Sequence, residues 1–136
     1  MGDRTLFFVY GTLMRKDNDL ITAFSPKAQY YNDILVEGYQ LYSLGSFPGL
    51  KHGGPGDYVK GELWSVPNSD IPRLDRYESE GYLYLRQPID AGDEEEPIYA
   101  YIYNQSVADR TRIESGDWLE YQAKRPLPAA YTTGAD

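Results

Sequence analysis

Apolar and polar positions along this chain fall into short blocks, each with the period of one kind of element. Leu6-Phe7-Phe8-Val9 is an apolar run that breaks into Tyr10-Gly11-Thr12-Leu13, so residues 4–10 read as a buried strand ending in a loop. Leu20, Ile21, Ala23 and Phe24 follow Asp17 and Asn18, either of which can cap a short helix that Ser25-Pro26 ends. From Ala28 to Leu44 the pattern is extended, with Tyr39, Leu41 and either Tyr42 or Leu44 directed inward. Residues 45–56 hold seven glycines and prolines, which predicts a turn-rich loop. Tyr58 to Val66 then alternates like a half-buried strand. Pro67-Asn68-Ser69-Asp70 offers capping residues for a helix from Ile71 to Glu78, on which Ile71, Leu74 and Tyr77 or Glu78 share a face. Leu83–Ile89 and Pro97–Tyr103 are two further strands, and Asp93-Glu94-Glu95-Glu96 between them reads as a solvated hairpin loop.

These blocks predict a single domain over residues 1–125 and a frayed tail over residues 126–136, which is rich in Pro, Ala and Gly. Several strands with two short helices inserted predict an α+β fold, a small mixed β-barrel or curled sheet with short flanking helices. A doubly wound nucleotide-binding fold is disfavoured. Tyr10-Gly11-Thr12-Leu13 is no dinucleotide fingerprint, and the chain has no phosphate loop of the GxxxxGK[ST] kind.

Composition removes several function classes. Hydrophobic residues make up 41% and charged residues 25% of the chain, which is ordinary for a globular domain. No apolar run is long enough for a transmembrane helix, and Met1 to Thr5 lacks a signal-peptide pattern, so a cytoplasmic protein without a membrane partner is expected. Gly2 invites a myristoylation reading, but Leu6 stands where that pattern wants Ser or Thr. There are no cysteines, which removes thiol nucleophiles, disulfides and cysteine metal sites. A catalytic triad would hang on the single histidine, His52, in a loop-like stretch. The net charge of −8, with no basic stripe, excludes a nucleic-acid partner. No metal and no cofactor is expected. The 14 tyrosines stand against 4 phenylalanines and 2 tryptophans, and suit both strands and polar small-molecule sites.

Two places could carry chemistry. A glycine at the end of the first strand lets backbone N–H groups approach a ligand, although a tight turn would use the same residue. Glu78 ends the second helix, where the helix dipole does nothing for an anion; if buried, its pKa would rise and it would serve as a general acid or base near neutral pH. The plain alternative is that Glu78 is one of 21 acidic residues on a solvated surface.

Three separated segments resemble the γ-glutamylcyclotransferase-like (avirulence-induced-gene-like) family, with the closest pattern in its small bacterial-type members. They are Val9-Tyr10-Gly11-Thr12-Leu13, then Glu37 to Tyr42 with Phe47-Pro48-Gly49, then Leu74-Asp75-Arg76-Tyr77-Glu78 followed by Tyr84-Leu85-Arg86. Val59 to Trp64 also fits the family's V-x-G-x-[LVI]-[WY] strand, and the match runs in order over roughly the first hundred residues. Two departures stand out. Arg15-Lys16-Asp17 replaces a glycine common in the family, and Glu78-Ser79-Glu80-Gly81 replaces its Glu-Gly, so that Glu78 or Glu80 could align with the catalytic glutamate. Glu78 keeps both Leu74-Asp75 and Tyr84 in register.

The resemblance implies a barrel-like fold with a cavity at the end of the first strand and a small-molecule γ-glutamyl substrate. The loop Tyr10, Gly11, Thr12, Leu13 would hold the substrate's amino-acid end, with Tyr84 and Arg86 as further contacts. Glu78 would move one proton while the substrate's own amine closes on its γ-carbonyl, giving 5-oxoproline and a free amine. Each contact has a structural alternative: Tyr10, Tyr84, Tyr101 and Tyr103 fit packing roles equally well, and Arg86 can pair with the acidic surface. The competing reading of the whole is a non-catalytic small-molecule binding module that keeps the same cavity.

Overall fold

The computed structural model describes residues 3–15, 20–91 and 96–124. Eight strands and three helices follow one another as β1 (Arg4–Val9), α1 (Leu20–Phe24), β2 (Gln29–Glu37), β3 (Tyr39–Ser43), β4 (Pro48–His52), β5 (Tyr58–Pro67), α2 (Ile71–Glu78), β6 (Tyr84–Ile89), β7 (Ile98–Tyr103), β8 (Thr111–Ile113) and α3 (Trp118–Lys124). The fold is α+β, as expected. The sheet is curled but not closed into a barrel: its strands run β2-β5-β1-β7-β4-β3-β8, with β6 also paired to β7.

Most predicted elements form where the hydrophobic pattern puts them, and the differences have physical causes. The extended stretch before residue 45 divides into β2 and β3 at Gly38, whose φ of 94° an L-residue rarely adopts. The turn-rich segment is only partly a loop. Leu44 N–H closes a tight turn on the Phe47 carbonyl at 2.9 Å, and β4 then pairs antiparallel with β3 from Ser43↔Pro48 to Tyr39↔His52. His52 is therefore a strand-end residue, with its ring 5.2 Å from that of Tyr39. Strand β8 and helix α3 were not expected; Trp118, fully buried at the start of α3, anchors that helix in the core. The expected caps do not form before α2. Asn68–Asp70 makes a 3-10 turn, and Asp70 accepts a 2.7 Å hydrogen bond from Ser25 Oγ and pairs with Arg73. The expected caps Asp17 and Asn18, the residues Asp93, Glu94 and Glu95, and the tail 126–136 lie outside the described residues.

One feature of the sheet creates the space for a site. Strand β6 covers one edge of β7 along its whole length, from Tyr84↔Tyr103 to Ile89↔Ile98. The other edge is shared by two parallel neighbours. β1 pairs only near the start of β7, at Leu6↔Ile98 and Phe7↔Tyr99, while β4 pairs near its end, at Leu50↔Ile102. Between them β1 peels away to stay with β5, and the Tyr101 carbonyl is left without a ladder partner. Buried carbonyls need a donor, and the Tyr10 hydroxyl supplies it at 2.5 Å.

Candidate active site

A cavity of about 150 Å³ lies where β1 and β4 diverge. Its walls come from the end of β1 and the following loop (Phe8 to Leu13), from Phe47 and Pro48, from Tyr77 and Glu78 at the end of α2, and from Leu83, Tyr84 and Tyr101. The predicted residues Tyr10, Gly11, Thr12, Leu13, Glu78 and Tyr84 thus meet in one place. Arg86 is not among the lining residues.

The loop is held rigidly from behind. Met14 N–H bonds the Gly11 carbonyl at 2.9 Å, and Arg15 N–H bonds Oε1 of the buried Glu62 at 2.9 Å. That same oxygen accepts the Trp64 indole N–H at 2.9 Å. A Cβ on Gly11 would lie 2.7 and 2.8 Å from the ring carbons of Pro48, so the loop and β4 approach as closely as they do only because residue 11 is glycine. The N–H groups of Gly11, Thr12 and Leu13 have no acceptor among the described residues. Gly11, Thr12 and Leu13 all line the cavity, and consecutive backbone donors without acceptors are the kind of group that suits a carboxylate. Arg15 adds no charge here, since its guanidinium stacks 4.0 Å over the Tyr30 ring; Lys16 and Asp17 lie outside the described residues.

The opposite wall is the last turn of α2. Ser79 N–H bonds the Arg76 carbonyl at 3.2 Å and Glu80 N–H bonds the Asp75 carbonyl at 2.9 Å, the paired bonds of a Schellman motif with Glu78 as the last helical residue. Ser79 takes the left-handed position, at φ 51°, that glycine usually fills. The chain therefore turns at Ser79, immediately after Glu78, and Glu78 lines the cavity. Glu80 is exposed and accepts Arg86 N–H at 3.2 Å.

Glu78 is half-buried, and among the described residues its carboxylate has no hydrogen bond or salt bridge. It is the only carboxylate, and no lysine, arginine or histidine stands with it, among the described lining residues. Desolvation raises its pKa from 4.5 to about 8. The phenols around it are pushed the other way from usefulness as bases. Burial raises Tyr10, Tyr84 and Tyr101 well above the ordinary tyrosine value, and the nearby Glu78 charge adds to each. Their hydroxyls are also committed: Tyr84 donates to the Pro48 carbonyl at 2.8 Å and Tyr101 to Asp75 Oδ1 at 2.7 Å. The site thus combines one unpaired carboxyl of raised pKa with one loop of unpaired backbone donors.

Arg86 has a different partner. Its Nε and one terminal nitrogen grip the two Asp75 oxygens at 2.9 and 3.0 Å, so its fork is occupied. Tyr77 and Leu83 were not singled out in advance as lining residues. Tyr77 bonds Thr12 Oγ1 at 2.9 Å across the cavity mouth. The signal for Tyr77 was its place inside the Leu-Asp-x-aromatic-Glu segment, as that for Phe47 and Pro48 was their place in the quoted Phe-Pro-Gly loop. Leu83 carried no such signal. Among the described residues no group of three or more His, Asp or Glu side chains could hold a metal ion.

Comparison with known proteins gives matches over most of the chain. A family model described as γ-glutamyl cyclotransferase, AIG2-like, matches residues 7–120. The γ-glutamylcyclotransferase family protein YtfP of Escherichia coli K12 is 35% identical over 113 residues, covering 83% of this chain and 95% of that protein. The solution structure of E. coli ytfP superposes with a TM-score of 0.66 at 33% identity, over 87% of this chain and 99% of that one. An uncharacterised protein of Pyrococcus horikoshii shares the fold, with a TM-score of 0.68 at 22% identity over 90% of this chain and 99% of its own.

Proposed function

We infer, since the chain belongs to the AIG2-like γ-glutamylcyclotransferase family and is a cyclotransferase-like enzyme, that its cavity cyclises a γ-glutamyl amide to 5-oxoproline and releases an amine. The observation that carries this reading is a single unpaired carboxyl, raised to about 8, facing a loop of unpaired backbone donors. The substrate's α-carboxylate rests on the Gly11, Thr12 and Leu13 N–H groups, against Tyr10 and Tyr84. Its α-ammonium then lies toward Glu78, whose ionised carboxylate takes one proton. The freed amine attacks the γ-carbonyl carbon, a new C–N bond closes the five-membered ring, and the bond to the leaving nitrogen breaks. Glu78 returns its proton to that nitrogen, and the second proton, shed by the ring nitrogen as the lactam forms, leaves with the amine as its ammonium, so the enzyme ends as it began.

The reaction asks little of the protein. Nucleophile and electrophile belong to one molecule, so folding the substrate supplies most of the rate through proximity. A carboxyl with a pKa near the working pH is an efficient proton carrier in both directions. The test is a panel of γ-glutamyl amides incubated with the protein, following 5-oxoproline, amine and glutamate. Equimolar 5-oxoproline and amine are expected, with turnover lowered at least about 100-fold in Glu78→Gln. Unchanged turnover in that variant refutes the mechanism. Glutamate as product would mean hydrolysis, and ligand-induced thermal stabilisation without product would mean a binding module.

A further inference from the structure

Helix α2 has only eight residues, and Leu74 is its one buried side chain. Ile71 packs partly buried against the core at the start of the helix and the Tyr77 ring lies 4.8 Å from that of Phe24 near its end, and this helix presents Glu78 to the cavity. Its first turn is tied down through Asp70, which Ser25 and Arg73 hold. At the other end a polar tie adds to the Tyr77–Phe24 contact. Arg86 and Tyr101 are cross-strand partners on β6 and β7, so their side chains stand together on one face of the sheet. Asp75 descends from the helix onto that pair and accepts three hydrogen bonds: 2.9 and 3.0 Å from the Arg86 fork and 2.7 Å from the Tyr101 hydroxyl. Glu78 follows Asp75 by one helical turn on the same face. Tyr101 is itself a cavity wall, and its carbonyl receives the Tyr10 hydroxyl, so one chain of contacts runs from Arg86 through Asp75 and Tyr101 to the loop opposite.

We propose that Arg86 is a positioning residue: its two-pronged grip on Asp75 sets the rotation of α2 that delivers the Glu78 carboxyl to the cavity. This rests on the cyclotransferase reading for its effect on turnover, but not for its effect on Glu78 itself. A bidentate guanidinium–carboxylate pair fixes an angle as well as a distance, which a lysine point charge would not. The pair also cancels the Asp75 charge beside Glu78. The other groups around Glu78 are the phenols of Tyr10 on the loop, Tyr84 on β6, Tyr101 on β7 and Tyr77 on α2, with the exposed Glu80 two residues on, whose carboxylate accepts the Arg86 backbone N–H and stays in every variant. Losing Arg86 therefore exposes Glu78 to one uncompensated negative charge; losing Asp75 does not.

The experiment uses the full chain with two readouts, the carbon-13 carboxyl titration of Glu78 by NMR and 5-oxoproline release from a γ-glutamyl amide. Both Arg86→Gln and Asp75→Asn are expected to lower kcat about 10- to 100-fold while KM stays within about threefold, the pattern of a displaced reacting group. The Glu78 midpoint is expected to rise by about 0.5–1 pH unit in Arg86→Gln and not to rise in Asp75→Asn. Arg86→Lys should keep the wild-type midpoint, because the charge remains, but not recover kcat. Arg86→Gln with wild-type kcat and an unmoved Glu78 midpoint overturns the proposal, as does full activity in Arg86→Lys. If Arg86→Gln does not fold, Arg86→Lys decides on its own: kcat lowered with the midpoint unmoved supports the clamp, and wild-type kcat overturns it. The titration needs no substrate, so a wild-type protein that releases no 5-oxoproline defeats the cyclotransferase reading while the midpoints still decide the clamp.

Discussion

Replacing Glu78 by Gln should stabilise the protein in alkaline solution and leave its stability in acid unchanged. The fold raises this carboxyl from 4.5 to about 8, because burial penalises the charged form. Below about pH 4.5 the group is protonated in both folded and unfolded chains and contributes no pH dependence. Between 4.5 and about 8 the unfolded chain releases a proton that the folded protein keeps, so unfolding becomes progressively easier. Above about 8 the cost is complete and constant. The full shift corresponds to about 5 kcal/mol, and the remaining contact of the half-buried residue with solvent screens this to roughly 2–4 kcal/mol. Glutamine matches the shape of the neutral acid and never ionises. For a domain of this size each kcal/mol moves Tm by about 3 °C, so the variant should melt about 6–12 °C above wild type at pH 9. Calorimetric scans of both proteins at pH 4, 6, 7.5 and 9 measure this, with the wild-type curve subtracted to cancel every other titrating group. A Tm difference that does not change with pH would show that Glu78 titrates as an ordinary exposed carboxylate, and the proton-carrier role would fall with it.

Two more substitutions probe the walls of the cavity. Ser79→Gly removes the cost of a left-handed serine and should raise stability by about 1 kcal/mol, read as a shift in urea midpoint, without changing kcat; a loss of stability would mean that the serine side chain, not the backbone angle, matters there. Gly11→Ala drives a methyl group into the Pro48 ring, which lies 2.7 Å from the added carbon. It should cost about 1–3 kcal/mol and raise KM more than it lowers kcat, since it displaces the binding loop and leaves Glu78 in place; wild-type KM would contradict the cradle role.

The parts of this molecule that could be read in advance are those whose signal is local. An apolar run with a glycine break marks β1 and its loop because both strand and turn are set by neighbouring residues. The 71–78 helix was legible for the same reason, through the spacing of Ile71, Leu74 and Glu78. Strand β4 was not, because its Gly49 looks like a turn residue. Its real function is steric: a Cβ there would stand 2.9 Å from Tyr103 Cβ, so the glycine marks close packing on a neighbouring strand. Arg86 illustrates the limit for the site. Its match to a family pattern suggested a substrate contact, but its partner is Asp75, eleven residues earlier and on a different element. Only the pairing of β6 with β7 and the descent of α2 bring the two together, and neither can be inferred from spacing.

The deficits of this fold are concentrated around the cavity. Glu78 carries a carboxyl with no partner among the described residues, at a helix end whose dipole repels it. Ser79, immediately after it, is the one non-glycine residue with positive φ among the described residues. Behind the opposite wall, Glu62 is almost fully buried, and while its Oε1 holds the loop, its Oε2 has no hydrogen-bond partner. Each feature breaks a local rule and has an obvious remedy in a glutamine, a glycine or an apolar residue; among the described residues the other buried polar atom without a partner is Arg112 Nε, on β8. Violations scattered at random would be simple imperfections, removable without consequence. Grouped about one cavity, these three match what the proposed proton transfer and anion binding would use: a carboxyl kept out of reach of any cation, a tight turn that ends the helix at that carboxyl, and a loop of unpaired donors whose far end a buried acid holds.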